Sequence, residues 1–252
     1  MTPLLAIIGG TGLTTLDNLQ ITGSEHPSTP YGEPSSPLIY GQLEDRSVIF
    51  LARHGLQHTL PPHKINYRAN LWALHQTGVR QIVAIAAVGG IREDMAPGVL
   101  AFPDQIIDYT QGRACTFFEE NLSQVTHIDF TDPYCPDLRA HLISAARQLA
   151  LDARESCTYA AMSGPRLETA AEIRKLARDG CDIVGMTGMP EAALARELGL
   201  RYAACAVVAN WAAGKVAGPI TMAEIEQSLQ HSMARVKSLL VKLIPLLDSP
   251  CP

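Results

Sequence analysis

Short apolar runs of strand length recur along the chain with helical patterns between them, and this alternation is the strongest constraint on its fold. The runs are Leu4–Ile8, Val48–Leu51, Ile82–Val88, Val99–Phe102, Ile183–Met186 and Tyr202–Val208. Between them, Leu71, Leu74 and Val79 keep one face apolar after "NYRAN". Leu138–Leu151 is rich in Ala and Leu, and Thr169–Ala177 sets Ala170, Ile173 and Leu176 on one stripe. Ala192–Leu198 and Ile225–Leu247 continue the pattern, the last long enough for a C-terminal helix. Strands alternating with helices predict an α/β layer fold with a largely parallel sheet. No composition break divides the 252 residues, so the expectation is one domain, 1–252, with a substantial core. The Pro-rich "STPYGEPSSPL" predicts a loop or hairpin approach, and "LPPHK" another break.

Composition removes several classes of function. The chain is 18% charged with a net charge of −5 and has no basic stripe, which argues against a nucleic-acid polymer as partner. Its six cysteines (115, 135, 157, 181, 205 and 251) form no CxxC pair and have no His at zinc spacing. They predict reduced thiols, no metal site and a cytoplasmic protein. The start "MTPLLAIIGG" has no basic region, and its apolar run is too short for a signal or a membrane span.

In open α/β sheets ligands sit outside the carboxyl ends of the strands, so the residues after each apolar run carry the functional reading. They are Gly9-Gly10-Thr11-Gly12, then Arg53-His54-Gly55, then Ala87-Val88-Gly89-Gly90, then Met186-Thr187, and finally Asn210. Small residues, hydroxyls, one cation and an amide suit a small anion beside a neutral ligand. "IIGGTGL" fails the dinucleotide fingerprint, because the third glycine would fall on Thr15, and no GxxxxGK[ST] is present. A strand followed by Gly-Gly-Thr-Gly still offers backbone N–H groups and a hydroxyl to one phosphate, or simply makes a tight turn. Arg53 and His54 fit a phosphate or a surface ion pair. Glu168, in "MSGPRLETAAE", reads either as a ligand contact or as a first-turn carboxylate favoured by the helix dipole. Met186 reads either as core filler or as a sugar contact.

The strings "IIGGTGL", "LARHG", "HKINYRANLWAL", "AVGGIRED", "THIDFTDPYCP", "GPRLETAAE" and "GMTGMPEAALARELGL", in this order, resemble the trimeric purine nucleoside phosphorylase / methylthioadenosine phosphorylase family from about Ala6 to the C-terminal helix. The resemblance implies an α/β fold around a mixed, partly barrel-like sheet flanked by helices, a homotrimer, and reversible phosphorolysis of a purine nucleoside. Inorganic phosphate is then a co-substrate, and no metal or other cofactor takes part. Carried onto this chain, it makes Thr11, Arg53, His54 and Thr187 phosphate ligands and Met186 the ribose contact. His127 reaches toward the 5′ end of the substrate from a neighbouring subunit.

Departures from the family pattern indicate the substrate. Methylthioadenosine phosphorylases have an Asp where this chain has Asn210 and a second Asp where it has Ala212. Adenine presents a 6-amino donor and a bare N1, whereas a 6-oxopurine presents an O6 acceptor and an N1–H donor. The Asn210 amide can donate to O6 or N7, and Glu168 can accept from N1–H, as in the GPxxET string of 6-oxopurine phosphorylases. Mispairing either group costs about 1–3 kcal/mol. The segment "GPITMAEIEQSL" offers Ile220, Met222 and Ile225 where inosine-cleaving relatives commonly carry a His, and an apolar patch suits a methylthio group. Together these imply cleavage of 5′-methylthioinosine to hypoxanthine and 5-methylthioribose 1-phosphate. Methylthioadenosine, or inosine and guanosine, are rival substrates; a non-catalytic nucleoside-binding module is the rival of another class. Ala86 stands where relatives often have a phosphate-binding Ser or Thr, leaving the backbone N–H of Ala87 as donor. Leu167 replaces the usual aromatic that packs on the base.

Overall fold

The computed structural model describes residues 5–13, 19–120 and 122–247. Leu4, Thr15 and Cys251, which entered the sequence reading, lie outside these residues. Eleven strands form one sheet: β1 Leu5–Gly9, β2 Gln20–Glu25, β3 Leu38–Leu43, β4 Arg46–Ala52, β5 Gln81–Gly90, β6 Leu100–Ala101, β7 Gln105–Asp108, β8 Ala153–Arg154, β9 Thr158–Ala161, β10 Ile183–Gly185 and β11 Arg201–Trp211. Among the described residues five α-helices accompany them: α1 Tyr67–Gln76, α2 Pro136–Gln148, α3 Ala170–Arg178, α4 Gly188–Glu197 and α5 Met222–Leu243. The order along the sheet is β2-β3-β4-β1-β5-β10-β9-β7, and β11 branches from β5 to carry β6 and then β8.

The sheet is mixed. β4, β1, β5 and β11 run parallel, as do the pairs β10–β9, β7–β9 and β6–β8. The β2–β3–β4 meander and the β10–β5 and β11–β6 pairs are antiparallel. Every apolar run becomes a strand, and the bounds of each move by up to three residues. Ile82–Val88 lengthens to Gly90, because the glycines continue the ladder against β10 and β11. Val99–Phe102 shortens to two residues, paired with β11 on one side and β8 on the other. The "LPPHK" break holds a single 3₁₀ turn at Pro62–Lys64.

Successive residues of the central strands enter opposite cores, which is why their runs read as continuously apolar. Leu5, Ile7, Val83, Ile85, Ala203, Cys205 and Val207 face one core, which Val236, Leu239 and Leu240 of α5 complete. Ala6, Ile8, Ala84, Ala204 and Val208 face the other, with Leu71 and Leu74 of α1 and Ala192 and Leu194 of α4. Helix starts follow from local chemistry. Thr169 and Thr221 each close a reciprocal capping box, with Glu172 and Glu224 respectively, and Asn66 caps α1 by accepting from Ala69 N. In α4, Met189 has extended backbone angles, so the regular turns begin at Pro190, a residue suited to a first turn. No helix among the described residues is long and apolar enough to cross a membrane. Cys115, Cys135, Cys157, Cys181 and Cys205 are all free thiols.

Candidate active site

The parallel register sets Gly9 beside Ala52, so the chain leaves β1 and β4 at the same edge, next to the end of β5. There the strand ends surround a cavity of about 360 Å³. Thr11 comes from the turn after β1, Arg53 and His54 from the end of β4, and Ala86 and Ala87 from β5. Met186 and Thr187 follow β10, while Asn210 and Ala212 come from the end of β11. Leu167 and Glu168 enter from the loop before α3, and Ile220, Met222 and Ile225 from the start of α5. Thus every residue put forward as a phosphate, sugar or base contact lines this one cavity except His127. That residue is exposed on the irregular segment between β7 and α2. The resemblance assigns His127 to a neighbouring subunit's site, and a single chain leaves that role where it stood.

Local geometry explains why these side chains point inward. The β11–β5 register passes from Val208↔Val88 to Asn210↔Gly89, so Ala209 is the extra residue of a β-bulge. A bulge re-aims the following side chain and breaks the two-face alternation, which lets Ala209 and Asn210 border the same cavity. Asn210 is half-buried, and its Nδ2 donates to Trp211 O at 2.7 Å, leaving its second N–H. Gly164, at φ 62°, takes a left-handed conformation. A Cβ there would stand 2.4 Å from Met186 Sδ, so only glycine lets the "SGPRLE" loop close over the thioether. Arg113 ties this loop down, donating to Ser163 O at 2.9 Å and to Met189 O at 2.5 Å.

Glu168 does not act as the helix-start carboxylate. Glu172 fills that role, accepting from Thr169 N at 2.7 Å and pairing with Arg166 at 2.7 Å. Glu168 precedes the cap and borders the cavity, where burial lifts its carboxyl above its ordinary value. A donor brought to it by a ligand would favour the ionised form. Leu167 is 41% exposed and Met222 59% exposed, whereas Ala212 and Ile225 are buried. The cavity therefore has a solvent-facing apolar rim and a closed interior.

Arg53 is 1% exposed and is not a surface ion-pair residue. Its Nε and Nη2 donate to the two carboxylate oxygens of Glu191 at 2.6 and 2.8 Å, and Nη1 donates to Ile85 O at 3.0 Å. Glu191, fully buried on α4, also accepts from Tyr202 Oη at 2.7 Å. The sequence reading missed Glu191. It sits 138 residues from Arg53, and in a helix it reads as an ordinary first-turn acid. Burial alone would pull the Arg53 guanidinium down, but the Glu191 charge and hydrogen bonds outweigh it and hold the group above its ordinary value.

His54 Nδ1 lies 2.8 Å from Leu60 O, a pure acceptor, so Nδ1 carries the proton and Nε2 is the open lone pair. Burial first, and the Arg53 charge second, push this imidazole down to about 4. The sign follows: between the unfolded value of 6.5 and about 4 the unfolded chain binds the proton and the folded chain does not. Stability is therefore lost as pH falls through that window, by about 1.4 kcal/mol per unit and about 3 kcal/mol in all. Urea unfolding at pH 7 and pH 4.5 should show a steeper loss in the native protein than in His54→Asn; equal losses would contradict it.

This arrangement can hold an anion between Thr11, Arg53, His54 and Thr187, with a neutral, partly apolar molecule beside it. Among the described residues, no group of three or more His, Cys, Asp or Glu side chains is placed to hold a metal ion. A fold whose strand ends build such a paired pocket defines a class, and the chain matches the Phosphorylase superfamily over residues 4–245; it belongs to that family. A probable S-methyl-5′-thioinosine phosphorylase of Pseudomonas syringae is 54% identical over 239 residues, covering 95% of this chain and 97% of that one. The 6-oxopurine nucleoside phosphorylase of Pyrococcus furiosus is 45% identical, covering 97% and 93%. Among solved structures, methylthioadenosine phosphorylase from Schistosoma mansoni in complex with adenine superposes with a TM-score of 0.94 at 31% identity, covering 98% and 93%.

Proposed function

We propose that the chain cleaves 5′-methylthioinosine with inorganic phosphate, releasing hypoxanthine and 5-methylthioribose 1-phosphate. The observation that carries this reading is the lining of the cavity: an amide at Asn210, a carboxyl at Glu168 and no acid at Ala212, with Ile220, Met222 and Ile225 on the α5 side. An amide N–H meets O6 or N7, and a carboxylate meets N1–H, which is the demand of a 6-oxopurine and the reverse of adenine's. Among the described residues the α5 side presents only the apolar Ile220, Met222 and Ile225 to the 5′ end, which pack well against a thioether. The Pseudomonas relative carries the name of this activity and the Pyrococcus one is a 6-oxopurine enzyme. The Schistosoma structure, similar in shape, holds adenine; base choice is thus a matter of a few side chains on a shared frame.

In this reading Thr11, Arg53, His54, the Ala87 backbone N–H and Thr187 hold hydrogen phosphate against C1′, and Met186 supports the ribose. A phosphate oxygen bonds to C1′ as the C1′–N9 bond breaks. The bond electrons leave with the purine, and the proton lost from hydrogen phosphate balances the one the purine gains. Positioning and electrostatics supply the rate, and Asn210 donates to the base as its negative charge builds. No side-chain nucleophile is required. The reading includes a cytoplasmic homotrimer in which His127 of the partner subunit closes the 5′ end.

Base release measured side by side on methylthioinosine, methylthioadenosine and inosine, with and without phosphate, tests it. The expected order puts methylthioinosine first. Faster methylthioadenosine would refute the base reading, and faster inosine the 5′ reading. No release from any of the three would leave a binding module.

A further inference from the structure

The anion side of the cavity holds a cation whose charge is already matched. Both carboxylate oxygens of Glu191 face the Arg53 guanidinium at 2.6 and 2.8 Å, and both partners are buried. Tyr202 Oη donates to the same carboxylate at 2.7 Å, sharing Oε1 with Arg53 Nη2. Three of the five guanidinium N–H groups are committed to Glu191 and Ile85 O, which leaves two. Gly10 permits the approach, since a Cβ there would stand 2.4 Å from Ile85 O and 3.0 Å from Arg53 Nη1. Beside it, His54 holds its Nδ1 proton on Leu60 O and is a neutral ring. Thr11 and Thr187 add hydroxyls but no charge, and among the described lining residues the other ionisable groups are His58, whose protonated form burial disfavours, and Glu168, negative when ionised.

We propose that Glu191 sets the net charge of the phosphate subsite to zero, acting through Arg53, so that bound phosphate keeps its negative charge to face the cationic sugar. The inference rests on the phosphorolytic reading above and deepens it. An unmatched Arg53 would bind phosphate more tightly in the ground state and would also repel the positive charge that develops at C1′. Interactions that strengthen ground-state binding alone do not raise kcat. A neutral cradle recognises the anion by its shape and hydrogen bonds and leaves its field for the transition state. Glu191 is thus a positioning residue that also fixes charge.

Two substitutions separate charge from reach. Glu191→Gln keeps the length and removes the charge; Glu191→Asp keeps the charge and shortens the reach. The expected result for Glu191→Gln is a fall of about tenfold or more in the phosphate KM together with a fall of about tenfold or more in kcat, as exposing one charge at close range implies. Inhibition by sulfate should tighten in parallel. Glu191→Asp should stay near the native phosphate KM. If Glu191 were only a strut, Glu191→Asp would lose phosphate affinity and Glu191→Gln would not gain it, and either result overturns the proposal. Should Glu191→Gln fail to fold, the Asp variant still decides. Calorimetric titration with inorganic phosphate alone reads the affinities without turnover. Failure of the charge argument is thereby distinguished from failure of the phosphorolytic reading, which would show as absent base release in the native protein.

Discussion

Asn210→Asp should lower kcat/KM for methylthioinosine by about a hundredfold to a thousandfold, or about 2.7–4 kcal/mol, the loss that follows removal of one donor from a site of developing negative charge. The bulge at Ala209 holds residue 210 at the cavity, so the substitution changes chemistry and not placement. Asn210 has one N–H on Trp211 O and a second to give; Asp has neither. The new carboxylate faces the O6 or N7 lone pairs and repels the charge that the leaving purine acquires. Both effects are largest in the transition state, so kcat should fall with kcat/KM. For methylthioadenosine the same carboxylate accepts from the 6-amino group, and its relative rate should rise. Kinetics on both nucleosides with the single variant checks this. An unchanged kcat/KM for methylthioinosine would mean that residue 210 does not touch the base.

The parts of this site that were legible in the sequence are those that follow a buried strand. Polar side chains interrupt the apolar pattern, so Arg53-His54 after Val48–Leu51, Thr187 after Ile183–Met186, and Asn210 after Tyr202–Val208 stand out by contrast. The strand β2 gives no such signal. Its residues "QITGSE" are all exposed, and it pairs only with β3, so nothing apolar marks it. Glu168 and Glu172 are alike in sequence, and only the capping box shows which one starts the helix and which one is left to the cavity. Glu191 was illegible for a deeper reason. Its partner is brought to it by packing α4 against the sheet, a contact between segments 138 residues apart that no local pattern encodes.

That same contact makes Arg53 the residue whose loss the whole fold should feel. Arg53→Met should destabilise the protein by about 3–5 kcal/mol, because it leaves Glu191 buried without a countercharge. Native domains are stable by only about 5–15 kcal/mol in total, so this is a large share. Tyr202 would still donate to Glu191, but one neutral donor does not replace a bidentate guanidinium. The double substitution Arg53→Met with Glu191→Leu removes both charges together and should recover most of the stability, since apolar side chains of similar volume replace a buried pair at little cost. Its phosphate affinity and phosphorolysis should nonetheless stay lost, because the two guanidinium N–H groups left for an anion are gone. Urea unfolding of the four proteins of this cycle gives the coupling energy directly. A coupling near zero would mean that the pair is not the buried unit the distances describe. Recovered phosphorolysis in the double variant would mean that Arg53 holds the fold and not the phosphate.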